Sequence, residues 1–427
     1  MNKNSLLTIL ALAMVLGVVA CEPHSVMVSP LSTPVSSPVA TLTSAIPTLT
    51  VTFMPTPMGA PSLTPAVTLT GTHFPTPTLG GSAWQFVFSA CPCTPALSNC
   101  TDEHCTANIY EVNNDGTNLR QIVGGKAGAH SPSPSPDGRY LAFVDEREDV
   151  SVIPIPEERG HGGIVYLRTY LFDFTTGEIM LLGAKRFTRC QWFPDSVQLA
   201  CYADSDIYVV SLSGTDPIQI TNIAQDAQLC AFDLSPDGEH IVYVEENPAL
   251  SEPRDLNIYR VNVNGTGLLH LATLPAVSYC GSVQWSPNGE GVLVAASYDS
   301  VVSASDLFLI GVEGGEVNHI FHSNQHIFTT PRWLADGQHI FFVEYDRERD
   351  ANVFYIVDRN VVARTFEISG LGGSILAGDL SPDQTRFVFA VRGLYMANLE
   401  TGYWTPIFTD YQIDFDGIAT LIGSDRR

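Results

Sequence analysis

The sequence predicts an all-β fold, a β-propeller of four-stranded blades. Seven blades are expected, the closing one split between the two ends of the domain. Three observations predict it: a turn motif that recurs six times at near-even spacing, an apolar run after each turn, and a polar–aliphatic–aromatic signature after most of the runs.

The turns are Ser135-Pro136-Asp137-Gly138, Phe193-Pro194-Asp195-Ser196, Ser235-Pro236-Asp237-Gly238, Ser286-Pro287-Asn288-Gly289, Leu334-Ala335-Asp336-Gly337 and Ser381-Pro382-Asp383-Gln384. Pro pre-sets φ for the second turn position, Asp or Asn suits the third, and Gly supplies positive φ at the fourth. The repeated aspartates therefore read as turn residues rather than as a catalytic array.

Each turn leads into a strand-like run: Leu141–Val144, Leu199–Tyr202, Ile241–Val244, Val292–Ala295, Ile340–Val343 and Phe387–Ala390. Near-continuous rather than alternating hydrophobicity means that both faces of the strand are covered, as they are where blades stack. The third strand carries the signature Asp206-Ile207-Tyr208, Asn257-Ile258-Tyr259, Asp306-Leu307-Phe308, Asn352-Val353-Phe354 and Gly393-Leu394-Tyr395, with Tyr170-Leu171-Phe172 a looser case. Gly-containing hairpins such as Asn264–Gly267 and Gly314-Gly315 then introduce a fourth strand.

Turn positions 137, 195, 237, 288, 336 and 383 recur about every 49 residues, so the stretch from Trp84 to Arg427 holds almost seven units. The seventh lacks the turn. Trp84–Ser89, Asn108–Val112 and Leu119–Val123 give it three strands, and Gln412–Gly417 is expected to supply the innermost. Pairing the chain ends in one sheet removes free edges. Six blades is the alternative, with the first strands forming a separate cap.

The repeat is similar to the TolB-type, WD40-like propeller repeat over nearly all of residues 84–427. Its departures, at Phe193 and Ser196, Leu334 and Ala335, and Gln384, fall within turns and leave the architecture unchanged. The resemblance implies a protein-binding or scaffold module of the bacterial envelope; a few such propellers are enzymes, so fold alone does not decide function.

Residues 1–20 read as a signal peptide: Lys3 gives a basic start, and Leu6 to Val19 is apolar but short for a membrane span. Val18-Val19-Ala20-Cys21 resembles the lipobox of bacterial lipoprotein precursors, which implies cleavage after Ala20 and lipidation of Cys21. Buried acyl chains then anchor the protein to a membrane. Residues 21–81 are rich in Pro, Thr and Ser, and no Asp, Glu, Lys or Arg occurs between Pro23 and Thr101. This composition predicts a disordered tether whose prolines favour extended polyproline II, with a maximum reach of ~175 Å. The propeller domain is then 82–427.

The formal charge of −24 offers no basic surface for phosphates, which argues against nucleic acid. It promotes solubility and monomeric behaviour. Beyond Cys21 there are eight cysteines, an even number that favours disulfides in an exported protein. Cys190 and Cys201 flank a hairpin in opposed register. Cys230 and Cys280 open the innermost strands of successive blades and are placed to staple them near the channel. Cys91, Cys93, Cys100 and Cys105 crowd one polar insertion; two bridges of undetermined connectivity are expected there, since the spacings fit zinc pairs poorly.

No G-x-S-x-G, H-E-x-x-H, Walker or dinucleotide fingerprint occurs. Two features hold chemical interest. His319, His322 and His326 cluster in the connection between two blades, at a spacing that lets imidazoles share a divalent metal, although surface histidines are the commoner outcome. Lyases that act on uronic-acid oligosaccharides have a similar fold and bind metal through His and Gln, but no motif of theirs matches here residue by residue. Two residues before each turn Ser, or its equivalent, the chain carries Ser133, Gln191, Asp233, Gln284, Arg332 and Asp379. On innermost strands these positions border the central channel, so Asp233, Gln284, Arg332 and Asp379 are the candidate ligand-binding residues.

The expected function is therefore a lipid-anchored, non-catalytic binding or scaffold module at the cell surface or in the periplasm, with an envelope protein or glycan as partner and no cofactor. The alternatives are an oligosaccharide lyase or hydrolase working at the channel mouth, or a purely structural component of envelope assembly.

Overall fold

The computed structural model describes residues 84–90, 107–124, 128–145, 167–246, 254–298, 304–327, 331–358, 361–375, 377–391, 393–408 and 417–421. The signal peptide, the whole tether with Cys21, and Cys91, Cys93, Cys100 and Cys105 lie outside them. Among these residues the chain forms a seven-bladed propeller of antiparallel four-stranded sheets. Blades 1 to 6 occupy 129–181, 188–219, 228–277, 279–327, 332–369 and 377–408. Blade 7 joins Ile418–Leu421 to Gln85–Ala90, Asn108–Asn113 and Arg120–Val123. Blades 4 and 5 share one continuous sheet, because the long outer strand Val317–Ile327 pairs at its end with His339–Asp346: His326 faces Tyr345 and Ile327 faces Glu344.

The near-continuous apolar runs follow from stacking. In blade 4, Val292 and Val294 pack with Val242, Val244 and Ile258 of blade 3, whereas Leu293 and Ala295 pack with Ile340 and Phe342 of blade 5. The same alternation produces a buried cluster at every blade interface, including Phe86 and Phe88 against Val388 and Met396. Between blades 7 and 1, Val87 and Ile109 meet Leu141 and Phe143. A strand flanked on both sides has no face left for polar residues.

The turns are self-braced. Ser135 Oγ donates to Asp137 Oδ1 at 2.6 Å and accepts the Tyr140 amide at 2.9 Å. Ser235, Ser286 and Ser381 repeat the pattern with Asp237, Asn288 and Asp383. Hydrogen bonds from the Ser235 hydroxyl and the Glu239 amide hold the Asp237 carboxyl below the usual carboxylate range. Where Gly is missing, Ser196 and Gln384 adopt the same left-handed backbone, with φ of 61° and 53°.

The closing strand lies downstream of where the sequence placed it. Residues 412–416 lie outside the described set, and Gly417 only accepts the Ser89 amide at 3.1 Å. Pairing runs instead from Gln85↔Leu421 to Phe88↔Ile418. The reason is burial on both faces: Ile418 packs in the interface with blade 6 and Ala419 in that with blade 1.

Candidate functional site

The innermost strands Thr188–Trp192, Gln228–Leu234, Tyr279–Trp285, Arg332–Trp333 and Ala377–Leu380 line a central cavity of about 960 Å³. A smaller pocket of about 360 Å³ adjoins it, with Ser133, Gln191 and Asp379 in its wall. All six residues predicted from the turn offset thus border the channel. Gln191, Asp233, Gln284, Arg332 and Asp379 share the larger cavity.

Their local geometry comes from a recurrent irregularity. Near its start, each of four innermost strands slips register: between His130 and Ser133, Thr188 and Gln191, Leu229 and Ala231, and Cys280 and Ser282. A bulge leaves a residue outside the ladder and re-aims its side chain. Ser131 and Arg189, both at positive φ, sit in such bulges, as does Cys230.

Among the described residues two disulfides form. Cys190 bonds Cys201 across its hairpin, with Cα atoms 4.1 Å apart. Cys230 bonds Cys280, joining blades 3 and 4 on the channel wall at a Cα separation of 6.4 Å. Arg189, which sequence reasoning missed, reaches across the wall to donate from Nη1 to the Cys230 carbonyl at 3.1 Å. The only sequence signal for it was its place beside Cys190 at the head of an innermost strand.

Asp233 is the electrostatic centre. Its Oδ2 accepts the Trp285 amide of the next blade at 2.7 Å. It is partly reachable from the channel, yet burial pushes its carboxyl up to about 7. The Trp285 and Leu234 amides, the Gln191 side chain and the Arg332 charge all pull the other way without prevailing. Gln191 bridges blades 2 and 3: its Nε2 donates to the Phe232 carbonyl at 3.0 Å and its Oε1 accepts the Leu234 amide at 3.3 Å. Arg332 pairs with Asp379 at 3.5 Å, a half-exposed contact of modest energy that leaves the guanidinium open to a ligand. The wall therefore combines an anion, a cation, an amide and a carboxyl that titrates near neutrality. Such a set has the chemistry to hydrogen-bond a polar ligand and to exchange a proton with it.

The histidine cluster lies elsewhere. His319 and His322 stand on the outer strand of blade 4 rather than in a connection between blades, because the hairpin at Gly314-Gly315 starts that strand early. Both meet the buried Asp306 carboxylate: His319 Nε2 lies 2.9 Å and His322 Nδ1 2.8 Å from the same Oδ1. Phe308 stacks on His319 with centroids 4.8 Å apart. His326 lies further along, paired through its backbone with Tyr345; its side chain is outside the described residues. Sequence reasoning had noted Asp306 only as a strand marker.

No family model matches the sequence, and no curated protein matches it. Among solved structures, the oligogalacturonate lyase of Vibrio parahaemolyticus is similar: 12% identical, over 76% of this chain and 85% of its own, with a TM-score of 0.53. An oligogalacturonate lyase solved in complex with manganese aligns over the same shares at 13% identity and a TM-score of 0.54. TolB from Acinetobacter baumannii superposes more loosely, at 15% identity over 67% of each chain and a TM-score of 0.41. At such identities the likeness to the lyases is one of fold, and it agrees with the seven blades described above.

Proposed function

We propose that this protein is an extracytoplasmic binding module that takes a polar ligand, a glycan or a segment of an envelope protein, at its central channel. The carrying observation is the channel wall: Gln191, Asp233, Gln284, Arg332 and Asp379 converge from five blades on one cavity of about 960 Å³. Charges of both signs beside side-chain amides suit hydroxyl-rich or peptidic ligands, whose donors and acceptors are mixed. Export fits the two disulfides, which persist in oxidising compartments. On this reading residues 1–20 are removed, Cys21 carries the lipid, and the tether to residue 81 presents the propeller away from the bilayer.

The test is binding of the full chain to oligosaccharide and peptide arrays, repeated with Arg332→Ala and Gln284→Ala. Loss of the same hits in both variants supports the channel as the site; hits indifferent to both sink it. Replacement of Cys21 by Ser is expected to release the protein from membranes.

A second reading, an oligosaccharide lyase or hydrolase, is favoured by Asp233. A carboxyl that titrates at about 7 near a guanidinium has the properties of a general acid or base. Incubation with acidic oligosaccharides separates the two readings. New unsaturated or reducing ends, lost in Asp233→Asn, identify an enzyme, and binding without products identifies a module.

A further inference from the structure

We propose that Asp306, His319 and His322 form a divalent metal site of the zinc class on the outer part of blade 4, separate from the channel. One donor atom from each residue falls within 4.8 Å of the others, so a small shift of the half-exposed histidine side chains brings all three to one small ion at bond lengths of about 2.0–2.2 Å. The arrangement is partly preorganised. Asp306 is 1% exposed, which fixes the anion, whereas both histidine side chains are 46% exposed and accessible to an incoming ion. Phe308 holds the His319 ring by stacking.

Comparison with sister blades singles this place out. The residue equivalent to Asp306 closes its blade with hydrogen bonds from the chain's own backbone and hydroxyls. Asp206 accepts from Thr221 Oγ1 and the Ile223 amide, both at 2.8 Å. Asn352 accepts from the Ile375 amide and donates to the Gly373 carbonyl, both at 2.9 Å. Asn257 accepts from Thr273 Oγ1 at 2.8 Å. In blade 4 two imidazoles also meet this residue, and they become metal ligands once the nitrogens facing Asp306 give up their protons. In a neutral ring the proton moves to the other nitrogen; in an imidazolium it leaves to solvent.

Two imidazoles with one carboxylate select zinc and its transition-metal neighbours over magnesium or calcium, which prefer all-oxygen sites. The net charge of −24 raises the local concentration of any cation. Asp237, Glu239 and His240 also lie close together. There, however, Asp237 Oδ1 is already committed to Ser235 and the Glu239 amide, so that turn is the weaker site.

The experiment is thermal unfolding and calorimetric titration of the chelator-treated full chain with zinc chloride, using magnesium and calcium chlorides as controls. One equivalent of zinc is expected to bind and raise the unfolding midpoint, with no response to the controls. The double variant His319→Gln, His322→Gln replaces half-exposed side chains, and Asp306→Asn installs the amide that blades 3 and 5 already use. Each is expected to lose the zinc response, while His240→Gln keeps it. No zinc response in the parent chain overturns the proposal. So does a response that survives the histidine double variant, or one that His240→Gln alone abolishes.

Discussion

Blades 2 and 4 carry an aspartate at the same position, near the start of the third strand, and use it differently. Asp206 is tied by Thr221 and Ile223 on the path to blade 3 and by Gln219 at the end of its own blade, so its carboxylate locks the crossover between blades. Asp306 is met by two half-exposed histidines, while blade 4 continues into blade 5 through the shared sheet. A buried carboxylate whose partners are backbone and hydroxyl is structural and fixed. One that solvent-facing imidazoles also meet has partners that can be exchanged. The repeat thus supplies its own control: a deviation from the sister blades marks where chemistry has room.

Between these two junctions lies a third, where blades 3 and 4 are stapled by Cys230–Cys280, and it sets the scale. The bridge spans 50 residues, so removing it with a paired Cys→Ser change is expected to cost about 4 kcal/mol on the chain-entropy model. The hairpin bridge Cys190–Cys201 spans 11 and is expected to cost about 3 kcal/mol. Denaturant unfolding measures both. Equal or reversed costs would mean that native packing, not loop closure, governs these bridges.

Next in size is the comparison itself. Asp206→Ala leaves the Thr221 hydroxyl and the Ile223 amide unpaired in a buried setting, an expected loss of about 2–4 kcal/mol. The double change His319→Gln, His322→Gln removes only the half-exposed partners of Asp306, which water replaces, so the loss there is about 1 kcal/mol or less in metal-free buffer. Similar losses at the two positions would break the distinction between a fixed and an exchangeable junction.

The channel carboxylate responds to pH in the opposite sense to a salt-bridged one. Asp233 has a folded pKa of about 7, above its ordinary value of 3.8. Between roughly pH 4 and 7 the folded chain therefore holds a proton that the unfolded chain has released. Stability attributable to this group falls as pH rises through that window and stays low above it. Asp233→Asn removes the dependence. Relative to the parent it should gain stability on going from pH 5 to pH 8, on the order of 2 kcal/mol given partial access to water. A parent and variant that respond identically would show that Asp233 is ionised throughout.

Architecture was legible because turns repeat. A braced Ser-Pro-Asp-Gly turn fixes where two strands meet, and counting such turns counts blades. The closing strand was misplaced because blade 7 has no such turn, and the burial of Ile418 and Ala419 on opposite faces shows only once the neighbouring blades are in place. Channel residues were legible at a fixed offset from the turn. Arg189 and the exit of Cys230 from the ladder were not, since a bulge breaks the simple register on which that offset depends. The union of Asp306 with His319 and His322 was hidden for the same reason. It requires the slip between Leu307 and Phe308 that brings Asp306 opposite His322 while Phe308 lies opposite His319.

The smallest expected effect concerns the turns that lack glycine. Ser196 and Gln384 hold positive φ, which costs a non-glycine residue about 1 kcal/mol. Yet each side chain returns a hydrogen bond to the preceding blade. Ser196 Oγ accepts the Asp137 amide at 3.0 Å, and Gln384 Oε1 accepts the Ala335 amide at 2.5 Å. A net hydrogen bond is worth about 1 kcal/mol, so Ser196→Gly and Gln384→Gly should each change stability by less than about 0.5 kcal/mol. The reverse change at Gly238 has no such compensation. Gly238→Ala takes on the same backbone strain and sets its Cβ 3.2 Å from Pro194 Cδ, with no partner gained, so it should destabilise by about 1 kcal/mol or more. If Ser196→Gly stabilised the protein as much as Gly238→Ala destabilised it, the contact between neighbouring turns would contribute nothing. The departures from Pro-Asp-Gly would then be tolerated strain rather than a second way of joining blades.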